Sequence, residues 1–421
     1  MACTDSNKSG ERELKMSCTV PNINLSSVCN HPYDIYAGCV TGYLKGCSLS
    51  SRSHYNLNEL ESANPSSEIK CMSWKNHNEA EILTGQRDNS IIHYSLTHRK
   101  SSLVPMDLPN EPGIIRSVRS HDHLIISAFS KGLIKCVNVD MVDAASDDAK
   151  AYENIDAGSD LFCMDHNKYI PSLVLSGGKE NPLKIWDIST PNTPVFTSKN
   201  VKNDWLNLTV PVWVTKAEFF SESKKVVTGT ARADVRLYDP TSAQRRPVID
   251  IDTKEKSPIT ALAMRPNSDY QAFVGTGKGS LFLVDLRKKS VVRNYKGIKG
   301  GVTDIKFHPS LPFFATSSID RHIYCFNPDA PKQAKCSSVY AVSQINCILF
   351  SSLWSPDDKV VQDASKSSVQ DNINEKRKES SVLNGSDDEE DEGLWESMNV
   401  VKTKRKSSSV SETVKKRKRK T

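Results

Sequence analysis

Apolar and polar residues along this chain repeat one phrase seven times between residues 36 and 328. An apolar run leads to a pair of small residues, then a polar turn, then a short strand closing on an aromatic or apolar side chain. The copies read YAGCVTGYLKGCSL, LTGQRDNSIIHYSL, ISAFSKGLIKCVNV, LSGGKENPLKIWDI, VTGTARADVRLYDP, VGTGKGSLFLVDL and ATSSIDRHIYCFNP, closing on Cys47, Tyr94, Val137, Trp186, Tyr238, Val284 and Phe326. A period of roughly 42 to 52 residues predicts propeller blades rather than a helical array. Within a copy, apolar Val235 and Leu237 bracket polar Arg236, the alternation of a half-buried strand. Further apolar stretches such as IKCMSW, VTKAEFF, ITALAMRP and VTDIKFHP precede the copies, so each unit reads as a small antiparallel sheet. A literal Trp-Asp pair occurs only at Trp186 and Asp187, and Trp186 reads as a packing residue.

The first copy lacks a preceding strand, whereas a spare one, QINCILF at 344–350, follows the seventh. That imbalance predicts an all-β, seven-bladed WD40-type β-propeller over residues 31–350. The strand at 344–350 then pairs inside the blade begun by residues 33–49 and removes two exposed sheet edges. Residues 1–30 are polar and Ser/Asn-rich and are expected to be a disordered extension, and residues 351–421, without apolar periodicity, a disordered tail.

With 421 residues and 37% apolar content the chain can bury a large core. It holds no run of 18 apolar residues, which predicts no membrane span, and its first residues lack the apolar centre of a signal peptide. Eleven cysteines without a CxxC pair read as reduced interior thiols. Residues 402–420 hold ten Lys and Arg against Glu412, a balance of +9 within a whole-chain +6, which leaves −3 for the remainder. A near-neutral ring with a basic tail is the expectation.

The tail carries an acidic block, SDDEEDE at 386–392, and a small apolar island of Leu394, Trp395 and Met398 that reads as a docking motif. Two basic clusters follow: Lys402, Lys404, Arg405 and Lys406, then Lys415, Lys416, Arg417, Lys418, Arg419 and Lys420. They read as a nuclear localisation signal. Ser386, beside Asp387 and Asp388, resembles an acidic-kinase site.

Catalytic motifs are largely absent. GTGKGS at 275–280 has Ala272 where a phosphate loop needs Gly, and a strand follows it, so its glycines serve a turn. His121 and His123 flank Asp122 with no further ligands nearby in sequence, and no cofactor or metal is expected. The least blade-like stretch, SKNVKNDWLNLTVPVW at 198–213, packs Lys199, Asn200, Lys202, Asn203, Asp204 and Trp205 together without alternation. With Lys179, Glu180 and Asn181 before it and Arg245 and Arg246 after it, it is expected to form one charged face across adjacent blades. The competing reading makes these ordinary solvated turns, with Trp205 and Trp213 tucked into the core.

SGGKENPLKIWDI at 176–188, PVFTSKNVKNDWLNLTVPVW at 194–213 and RLYDPTSAQRRPV at 236–248 resemble the nucleolar WD-repeat assembly factors of the large ribosomal subunit. The resemblance runs through the propeller and, more weakly, into the tail. It implies a non-catalytic factor in biogenesis of the large (60S) subunit, acting in pre-rRNA processing within early nucleolar pre-ribosomes. Implied partners are pre-60S particle proteins and pre-rRNA, an AAA-type ATPase that releases or remodels the factor, and the nuclear exosome helicase. The chain would be a monomer within that larger complex, in nucleus and nucleolus. By the same analogy the turn at Lys179, the segment from Lys199 to Trp205 and the Arg245–Arg246 pair are contact candidates. A nuclear adaptor for chromatin or a ubiquitin ligase is the alternative, since fold alone does not choose.

Overall fold

The computed structural model describes residues 33–356 apart from 59, 61–63, 122, 139–153, 221, 267, 269 and 331–334. The N-terminal segment 1–30, Asp122, the tail docking motif and the basic clusters lie outside the described residues.

Seven four-stranded antiparallel sheets make up the ring. Blade 1 takes its inner strand from the far end of the chain: β28 (Ile345–Phe350) pairs with β1 (Ile35–Cys39), followed by β2 (Leu44–Ser48) and β3 (Ser53–Asn56). The register sets Ile35 opposite Phe350 and Ala37 opposite Ile348. In the other blades the inner strands are β4 (Ile69–Trp74), β8 (Ile115–His121), β12 (Leu161–His166), β16 (Val214–Phe219), β20 (Ile259–Met264) and β24 (Val302–Phe307). Each inner strand lies against the next, with β24 against β28 and β28 against β4, so the ring is closed.

Period-two alternation is present, but it does not separate core from solvent. Successive side chains enter two different cores, one on each face of the blade. Ile35 and Ala37 join blade 7, whereas Tyr36 between them joins blade 2. Seven clusters of buried apolar residues occupy the seven blade interfaces. The half-buried strand expected around Arg236 is therefore corrected. Strand β18 (Asp234–Tyr238) is covered on both faces, and Arg236, 6% exposed, is neutralised by Asp234 and Asp250 at 3.0 Å each. A sheet covered on both sides reads as continuous burial.

The repeated small residues now have a cause. A Cβ on Gly38, Gly85, Gly177, Gly229 or Gly275 would come within 3.0 Å of the first inner-strand aliphatic of the next blade: Ile69, Ile115, Val214, Ile259 or Val302. Each small residue is a socket for its neighbour. The closing residues pack as the repeat requires, Trp186 being 4% exposed with its Nε1 donating to Ser176 Oγ at 2.9 Å, although Val137 stays half-buried. GTGKGS forms the turn between β21 (Gln271–Thr276) and β22 (Leu281–Asp285), where Gly279 at φ +94 presses against the Gly300 carbonyl. The fold also runs past 350. Trp354, 7% exposed, packs on Phe350, Phe313 and His308, and Glu79 Oε2 accepts from the Ser352 amide at 2.7 Å.

Eight described cysteines are free thiols, all buried except half-buried Cys336. Burial pushes Cys39 up to about 11 and Cys47, Cys71, Cys136 and Cys163 up to about 12, so they stay protonated. Among the described residues no helix is long and apolar enough to cross a membrane.

Candidate functional site

Every inner strand carries a β-bulge after its first residue. The bulged positions are Lys70, Arg116, Phe162, Thr215, Thr260, Thr303 and Asn346. The residue before each is a buried aliphatic, and each bulged residue is half-buried. A bulge re-aims its side chain, so these seven positions ring one mouth of the central channel. Six of them are polar, and Phe162 alone is aromatic.

The arc from blade 3 to blade 5 departs from the rest. The Arg116 guanidinium lies 4.7 Å from the Phe162 ring centre, and Phe162 meets Trp213 edge-on at 5.8 Å. Lys179 Nζ covers the Trp213 ring at 5.3 Å. Lys179 and Trp213 form a β-bridge, and the Glu180 amide donates to Val212 O at 2.8 Å, which fixes the turn between β13 (Leu173–Gly178) and β14 (Lys184–Asp187) against the segment entering blade 5.

Outward from this arc, residues 198–213 follow the seam between blades 4 and 5. Midway along they form a hydrogen-bonded knuckle. Asp204 Oδ1 accepts from the Leu206 and Leu208 amides at 3.0 and 2.8 Å, the Asp204 amide donates to Leu208 O at 3.0 Å, and Asn207 takes φ +60. The Asn203 amide nitrogen adds bonds to Asn207 O at 3.1 Å and Asn207 Oδ1 at 3.0 Å, and that of Asn200 bonds Val210 O at 2.6 Å. This clasp presents Trp205, Leu206 and Leu208, exposed by 89%, 56% and 59%. At the outer end the Lys199 amide donates to Arg245 O at 2.8 Å, and Arg245 Nε donates to Thr197 O at 2.8 Å.

The three sequence segments therefore meet along one seam. Lys179, Glu180, Lys199, Lys202, Asn203, Asp204, Trp205, Arg245 and Arg246 are exposed, and Asn200 is half-buried. Asn181 is the exception and is corrected here: it is 5% exposed, and its amide nitrogen donates to the carbonyls of Ala157, Gly158 and Ser159 at 2.9 to 3.1 Å. It holds the frame instead of the contact surface. Lys184 joins it on the Ala157 carbonyl at 2.9 Å, and burial lowers its pKa. The competing placement of both tryptophans in the core does not hold, since Trp213 is 37% exposed and Trp205 more so. Sequence reading missed Arg116 and Phe162. Alignment of the inner strands would have shown Phe162 as the aromatic outlier among polar bulge residues. Among the described residues no three His, Cys, Asp or Glu side chains are placed to hold a metal ion.

A model of the WD domain, G-beta repeat, matches residues 289–327, which run from the outer strand of blade 6 through the first three strands of blade 7. WD repeat-containing protein 74 of Bos taurus is 32% identical over 79% of this chain and 85% of its own length, and that of Homo sapiens 31% over 80% and 86%. Ribosome biogenesis protein nsa1 of Schizosaccharomyces pombe is 26% identical over 52% of the chain and 65% of its own length. The crystal structure of the computationally designed Ika8 protein shares the fold at a TM-score of 0.50 and 16% identity, covering 67% of this chain and 78% of that one. With the repeat, the sealed ring and the extent of these similarities, the chain belongs to the WD repeat-containing protein 74 family.

Proposed function

We propose that this protein is a non-catalytic assembly factor in ribosome biogenesis, held in early large-subunit precursors by the seam between blades 4 and 5. Family membership supports the pathway, and the yeast relatives are named as ribosome biogenesis proteins. The observation that carries the site is the preformed knuckle: a tryptophan 89% exposed is costly in water, and its clasp fixes the shape before any partner arrives. Trp205, Leu206 and Leu208 enter an apolar cleft on a neighbouring particle protein. Lys199, Lys202 and Arg246 meet its acidic rim. The nucleolar setting, release by an AAA-type ATPase and the link to the exosome helicase belong to the same proposal. The adaptor reading is not favoured, because the relatives point to ribosome biogenesis.

Co-sedimentation tests this. The wild-type protein is expected to migrate with large-subunit precursors and to leave them when RNase dismantles the particle. Trp205→Ala, or Lys199→Glu with Lys202→Glu and Arg246→Glu, should release it while the melting temperature moves by less than about 2 °C, as exposed substitutions do. Arg245 is left intact because its side chain bonds the Thr197 carbonyl. Unchanged migration of both variants removes the seam from the proposal.

A further inference from the structure

Two aromatic features share the seam, and they differ in kind. The knuckle is aliphatic and indole together, which suits an apolar protein cleft. The channel-mouth arc has cations and rings only: Arg116 over Phe162 at 4.7 Å, Lys179 over Trp213 at 5.3 Å, and the two rings in edge contact at 5.8 Å. Three blades contribute to it, and Trp213 remains 37% exposed despite these contacts. The buried Nε of Arg116 has no hydrogen-bond partner among the described residues. Two carboxylates, Asp160 and Glu180, flank the arc, and both side chains are exposed.

We infer that this arc binds unpaired RNA. Aromatic faces stack on bases, and a cation beside the ring meets the phosphate, the pairing by which single strands are held without sequence reading. The exposed part of the Trp213 ring accepts a base splayed out of a helix, which duplex RNA does not offer. Lys179 Nζ, exposed beside the Trp213 ring, supplies the phosphate contact, and the Arg116 guanidinium braces Phe162 behind it. The inference rests on the ribosome-biogenesis reading only for the source of the RNA; the recognition chemistry stands on the arc alone.

The test uses the purified full-length protein and a single-stranded RNA of mixed sequence, about 12 nucleotides long and carrying 4-thiouridine. After irradiation in about 0.15 M salt, cross-linked peptides are mapped by mass spectrometry. Cross-links at Phe162 or Trp213, beyond any in the basic tail, are expected, and a blunt duplex of the same sequence should not compete. Lys179→Glu and Trp213→Ala should each lower propeller cross-linking by about fivefold or more, the low end of one lost stacking contact. Trp213→Phe should restore it, and Trp205→Ala should leave it unchanged. Cross-links confined to residues 402–420, or propeller cross-linking within about twofold of wild type in both variants, overturn the proposal. So does loss of particle association in Trp213→Ala with RNA cross-linking intact, which identifies a protein contact instead. Because purified components are used, failure here leaves the particle-binding result at Trp205 standing.

Discussion

Glu218, on the inner strand of blade 5, accepts the Met264 amide of blade 6 at 2.9 Å. Asp165 does the same for the Phe219 amide at 3.4 Å, and Asp304 for the Ile348 amide at 3.1 Å. Carboxylates thus stitch three blade junctions around the channel. Burial, then the negative charge of Asp165, raises Glu218 from its ordinary value of 4.5 to about 7. For an acid raised on folding, the stabilisation is complete below about 4.5 and is lost as pH climbs through about 7. Glu218→Gln keeps an acceptor for Met264 and carries no charge. The gap in melting temperature between this variant and wild type is expected to widen in the variant's favour from pH 4.5 to pH 7 and then level off. A gap independent of pH contradicts the raised value. At the same scale, Asn181 shows where composition misleads: an exposed-looking turn residue between Glu180 and Pro182 is committed to three carbonyls of the preceding loop.

Among the elements, β28 and the turn after it decide whether the ring holds. Ile345 and Ile348 are 0% exposed and Phe350 3%, and Trp354 wedges beyond them against blade 7. A chain ending at 343 is expected to lose cooperative melting that a chain ending at 356 retains. Trp354→Ala should cost about 3 to 5 kcal/mol by denaturant titration. A cost under about 1 kcal/mol would show that closure ends at Phe350. The blades were legible because a small residue in the second strand, such as Gly85 or Gly229, is demanded by the aliphatic residue of the next blade, and that demand recurs at five of the seven junctions. The spare strand was legible by counting. The seam was legible only as three suspicious segments, since the bond between Lys199 and Arg245 joins residues whose proximity no local pattern encodes. Arg116 and Phe162 escaped notice because their strands look like ordinary inner strands, and the bulge that re-aims their side chains is not visible in the sequence. The double-sided burial of Arg236 was hidden too, because a polar letter between apolar ones reads as solvent-facing until the second blade is in place.

For the whole molecule, cohesion is divided among seven interface cores of similar kind, and positive charge is densest at residues 402–420, which carry +9 against +5 for the whole of residues 31–350. Electrostatic and stacking contributions to RNA affinity therefore separate by salt. If six of the ten tail cations meet single-stranded phosphates, log affinity should fall with log salt at a slope of about −4. Trp213→Ala should lower the affinity without changing that slope, and a slope that flattens on this substitution would mean the arc acts through charge alone. The pairing of Ile35 with Phe350 has a further consequence, during translation. The first strand of blade 1 leaves the ribosome about 300 residues before its partner, so for most of synthesis it waits with an open edge. A nascent chain of this kind needs an escort for its earliest strands, and mutations that slow elongation late in the message would harm it more than equal delays near the start.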